Sequence, residues 1–80
     1  MVIEVITPGN GKTYEMVLDD KTTVGTAKGK IIEEITTFEN RNIAFDESVA
    51  LFLPSAQIRL SDYKNLRKAG VQSGHTVYLL

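Results

Sequence analysis

Five residues near the start of the chain, Gly9-Asn10-Gly11-Lys12-Thr13, are of the types that hold phosphate. Glycines free the backbone N–H groups, a lysine supplies charge and a threonine supplies a hydroxyl. The spacing does not complete a phosphate loop. Such a loop needs a glycine five places before the second glycine, where this chain has Ile6. It also needs a following helix whose N-terminal dipole faces the phosphate, and the residues after Thr13 alternate like a strand. The segment reads as a hairpin turn. His75 is the single histidine and lies on a glycine turn. With no second ligand type nearby and no nucleophile to serve, it reads as an exposed turn residue. Catalysis needs an acid, base or nucleophile converging in a pocket. No such set is spelled out, so the chain is not expected to be an enzyme or to hold a cofactor or metal.

The elements that position these residues follow from periodicity. Ile3 and Val5 alternate with Glu4 and Ile6 over residues 1–7, and Tyr14, Met16 and Leu18 alternate with Glu15 and Val17 over residues 13–18. Two strands joined by the Pro8–Lys12 turn form a hairpin, because glycine and asparagine accept positive φ and proline cannot continue a ladder. Val24, Ala27, Ile31, Ile35 and Phe38 then share one face of a helix expected over about 23–37, capped by Thr22 or Thr23. Residues 39–47 read as loop. Ser48 to Leu53 reads as a third strand stopped by Pro54, and Ile58-Arg59-Leu60 as a short fourth. Tyr63 to Ala69 suits a helical turn ended by Gly70, and Val77 to Leu80 a last strand. The fold class expected is α+β: one helix across one face of a mixed sheet of four to five strands, plus a short helical turn.

Composition narrows the function classes. Eighty residues make a single domain spanning 1–80, and 42% apolar against 24% charged residues is a globular balance. There is no cysteine, which excludes disulfides and thiolate metal sites. Nine Lys and Arg against ten Asp and Glu argue against nucleic-acid binding, which needs clustered positive charge. No run nears the ~20 apolar residues of a membrane span, and Met1 leads straight into an apolar strand without a leader pattern. A cytoplasmic protein without membrane insertion is the expectation.

The chain resembles ubiquitin and its relatives over nearly its whole length. Gly11-Lys12-Thr13, the run from Thr23 to Ile32, and Leu60-Ser61-Asp62-Tyr63 each echo a ubiquitin segment. The resemblance implies a β-grasp fold. Two registers are open for the C-terminal third. One aligns Leu-Ser-Asp-Tyr with its ubiquitin counterpart. The other counts back from Leu80 without gaps, buries Leu66 and Val71, and makes Leu60 the apolar residue of the fourth strand; this second register is the one expected. In it Lys28 and Asp62 match a lysine and aspartate that pair beneath the ubiquitin helix, which implies a partly buried structural ion pair. The pattern Leu66-x-x-Ala69-Gly70-Val71-x-Ser73-Gly74-x-x-Val77-x-Leu79-Leu80 is similar to the end of the YukD/EsaB-type ubiquitin-like proteins of Gram-positive type VII (WxG) secretion systems. Where those relatives usually carry an acidic residue after the second glycine, this chain has His75.

Two expectations about surfaces follow. Gly25 and Gly29, one turn apart, read as solvent-face glycines, the alternative being a flat strip for close backbone approach. If Ile3, Val5, Leu51, Leu53, Val77 and Leu79 point inward, then Ile6, Phe52, Tyr78 and Leu80 point outward. That face is the expected site for a protein partner, on a monomer or weak dimer. The sequence closes on its last strand without the Gly-Gly end through which ubiquitin-like modifiers and sulfur carriers react. The expectation is a non-conjugating interaction module, an accessory or regulatory part of a type VII system; the alternative is a modifier or sulfur carrier truncated before that tail.

Overall fold

The computed structural model describes residues 1–9, 11–39 and 49–80. Asn10 of the expected turn, the expected loop through residue 47 beyond Glu39, and Ser48 of the expected third strand lie outside the described residues. Among the described residues, six elements run in the order β1 (Val2–Thr7), β2 (Lys12–Val17), α1 (Val24–Phe38), β3 (Leu51–Leu53), β4 (Ile58–Arg59) and β5 (Thr76–Leu79). The five strands form one sheet in the order β2-β1-β5-β3-β4. β1 and β5 pair in parallel and the other three pairs are antiparallel, so the sheet is mixed.

The hairpin sets the register of everything beside it. Four residues separate Thr7 from Lys12, so Ile3 lies opposite Met16 and Val5 opposite Tyr14. These four side chains are buried, and strand alternation sends their neighbours to the other face. Val24, Ala27, Ile31 and Ile35 of α1 join them in one hydrophobic cluster with Leu51, Leu53, Leu60, Leu66, Val71, Val77 and Leu79. The inward register of β3 is thus Leu51 and Leu53, with Phe52 turned away. Leu60, Leu66 and Val71 are all buried, as counting back from Leu80 requires.

Phe38 departs from the core-facing stripe predicted for it. It is 69% exposed. The last turn of α1 carries it past the buried layer, and its ring stands 6.2 Å from that of Tyr14, tilted by 54°.

Both ends of α1 are tied to the rest of the fold. The Thr23 hydroxyl accepts the Thr26 N–H, satisfying one of the donors a helix start leaves unpaired. The N–H groups of Val24 and Gly25 donate to the carbonyls of Lys64 and Asp62 at 2.8 and 3.1 Å. At the other end, Glu39 accepts from the Tyr14 hydroxyl and from Lys12 Nζ, each at 2.7 Å. A carboxylate at a helix C-terminus opposes the dipole, and the Lys12 ammonium offsets that.

The helical turn predicted between Tyr63 and Ala69 is one turn, and it begins at Asn65. The Asn65 side chain accepts the Lys68 N–H at 2.7 Å and its carbonyl accepts the Ala69 N–H. Gly70 N–H to Arg67 and Val71 N–H to Leu66 then close a Schellman motif, with Gly70 at φ 96° in the left-handed region. The buried pair Leu66 and Val71 is the hydrophobic contact that accompanies such a motif.

Candidate functional site

The sheet face away from α1 is built by the residues that alternate with the core. In the centre, Ile6 on β1 lies beside Tyr78 on β5, and Tyr78 beside Phe52 on β3. The row continues to Thr13 on β2 and to Arg59 on β4. One transverse line therefore reads Thr13, Ile6, Tyr78, Phe52, Arg59. Its three apolar members are half-buried by their neighbours in the sheet. Of the four residues predicted for a partner surface, the fold brings these three into adjacent positions. Leu80 lies two residues beyond Tyr78, just past the end of β5, and is 57% exposed. Its backbone exchanges two hydrogen bonds with Ala50, at 2.9 and 3.0 Å, which holds it on the same surface.

Two charged residues border the apolar row. Glu4 lies opposite Glu15 one row along, with Thr76 next to Glu4. Met1 and Leu18 exchange both backbone bonds, so doubly bonded pairs fall at odd positions of β1. Glu4 and Glu15 are consequently a non-hydrogen-bonded pair, the arrangement with Cα atoms only ~4.5 Å apart and the side chains closer. Like charges directly opposite destabilise a ladder. Among the described residues neither carboxylate has an ion-pair partner. Beyond them, Val2 and Val17 form an exposed apolar pair. Reasoning from the sequence missed this acidic pair and Arg59. The signal was the length of the hairpin loop, since four residues between Thr7 and Lys12 place Glu4 against Glu15.

The other residues singled out have structural surroundings. Lys28 Nζ stands 3.0 Å from Asp62 Oδ1 and donates to the Val49 carbonyl at 3.0 Å. The lysine side chain is 14% exposed and the aspartate 51%, so the pair straddles the surface. Gly25 is half-buried against the Asp62 segment, where an added Cβ would sit at contact distance, 3.4 Å, from both Cβ and O of Asp62. Gly29 faces open space. His75 lies on a turn as predicted but is less exposed than expected. It is half-buried, and its Nδ1 accepts the Gln72 N–H at 3.1 Å while its own N–H returns to the Gln72 carbonyl. Gly74, at φ 89°, occupies the position of that turn that demands glycine.

Among the described residues no group of three or more His, Asp or Glu is placed to share a metal ion. No helix among them is long and apolar enough to cross a membrane. A surface depression lies along the solvent side of α1, beside Gly29, Lys30, Glu33 and Phe38, far from the sheet face. Neither a protein-family model nor a curated protein matches the chain.

Proposed function

We propose that this chain is a ubiquitin-like protein-interaction module of β-grasp fold, acting as an accessory or regulatory component of a type VII secretion system. The element order, the one helix among the described residues and the parallel pairing of β1 with a central β5 support the fold. The secretion context rests on the similarity of the segment from Leu66 to Leu80 to the YukD/EsaB-type pattern. The role is recognition, with no catalytic step assigned to the chain.

One observation carries the mechanism: Ile6, Tyr78 and Phe52 stand side by side across three adjacent strands on the uncovered face. A contiguous apolar row on a small domain marks a contact surface more often than scattered apolar residues do. Tyr78, on the central strand, is the anchor, because an aromatic residue surrounded by near-neutral contacts supplies most of the energy of such interfaces. The test is co-purification of the tagged chain with the membrane-bound secretion ATPase of its own cell. Tyr78→Ala is expected to abolish it while the circular dichroism stays unchanged. Undiminished co-purification of the variant would discard docking through this face.

A further inference from the structure

Among the described residues the sheet has five strands, and β5 is the middle one. The transverse row on its open face is therefore arranged about Tyr78. One step to either side stand two apolar residues, Ile6 and Phe52. Two steps out, the β2 side carries Glu15, one row along from Thr13, and the β4 side carries Arg59. All three of Glu4, Glu15 and Arg59 are exposed, and among the described residues none has an ion-pair partner.

We propose that this face closes on a second copy of the chain, in a two-fold dimer whose axis runs along β5 between the two sheets. The inference rests on reading the face as an interaction surface, and it names the occupant. A two-fold axis along the strand direction exchanges left and right. It sets Tyr78 against Tyr78, Ile6 against Phe52, and the Arg59 side of one copy against the Glu15 side of the other. Isologous contact requires such self-complementarity. A two-fold axis across the strands would instead set Arg59 against Arg59 of the other copy, and like charges in contact cost free energy. The charges thus select one of the two orientations. The Arg59 guanidinium of each copy meets the Glu4–Glu15 pair of the other, relieving the repulsion built into the ladder. Five strands ~4.8 Å apart give a face roughly 20 Å wide, which buries less than the ~800 Å² per partner of a standard interface. The dimer is accordingly weak, with a Kd above about 1 μM, and a heterologous partner with a better anchor displaces it.

Sedimentation equilibrium from about 10 μM to about 1 mM spans the range of such affinities. The wild-type chain is expected to shift progressively from monomer to dimer mass. Arg59→Glu alone and Glu15→Arg alone each place like charges at both contacts, and each is expected to weaken association at least about tenfold. An equimolar mixture of the two variants restores opposite charges at both contacts, and its dimer fraction is expected to return to the wild-type level. Glu4→Arg replaces Glu15→Arg should the latter lose its fold by circular dichroism. A wild-type chain monomeric throughout, or a mixture of folded variants that fails to recover, would overturn the dimer. A monomeric wild type whose ATPase co-purification still depends on Tyr78 would leave the docking reading standing alone.

Discussion

Lys28 of α1 reaches Asp62 at 3.0 Å, and the same ammonium also holds the carbonyl of Val49. The two contacts differ in kind. The ion pair sits at the surface, where such pairs contribute little. The bond to Val49 is charge-assisted and anchors the approach to β3. Lys28→Ala is expected to lower stability by about 1–2 kcal/mol, and Asp62→Ala by about 0.5 kcal/mol. Chemical denaturation of both singles and the double variant measures the coupling, expected at about 0.5 kcal/mol. Strict additivity would mean that the ion pair contributes nothing.

Gly29 lies in the interior of α1 with open space around it. Glycine there weakens the helix without serving any contact. Gly29→Ala is expected to stabilise the chain by about 0.5–1 kcal/mol, read as a higher denaturation midpoint at constant slope. A loss of stability would show that the position serves something beyond the described contacts.

Gly70 gives the opposite expectation. Its φ of 96° lies where a Cβ is strained, and it closes the motif that buries Leu66 and Val71. Gly70→Ala is expected to cost about 1–2 kcal/mol. Comparing thermal unfolding of the two Gly→Ala variants tests both assignments, since their shifts must have opposite signs.

Glu39 is the far anchor of α1. Glu39→Gln keeps the size but removes the charge that Lys12 faces, and one half of the carboxylate that serves Tyr14 and Lys12 together. A loss of about 1–2 kcal/mol is expected. Tyr14→Phe removes only the hydroxyl contact and is expected to cost less. Amide hydrogen exchange localises the effect: protection is expected to fall first in the last turn of α1.

Alternation and helical period disclosed most of the architecture before any coordinates. Ile3, Val5, Leu51, Leu53, Val77 and Leu79 point inward as their spacing requires. Phe38 shows where that reasoning stops. Its angular position on the helix matches the buried stripe, but burial also depends on how far the sheet extends beneath the helix, which is a tertiary property. Glu39 was illegible for a related reason. Its partners Tyr14 and Lys12 are distant in sequence, and no local pattern announces a contact across that separation. For the candidate site, outward orientation of Ile6, Phe52 and Tyr78 follows from parity alone. Their alignment in one row does not, because it needs the relative slide of three strands from separate parts of the chain. The same slide decides which charges border them.

The position of β5 has a consequence for how the chain reaches this state. The strand at the middle of the sheet is the last of the five in sequence, and it joins two strands that precede it by long intervals. On the ribosome the hairpin and the helix emerge first, yet β1 and β3 lack the strand that lies between them until residues 76–79 are free. Contacts so remote along the chain slow the search. The hairpin and helix can therefore pack early, but the sheet as a whole is completed only by this one late insertion.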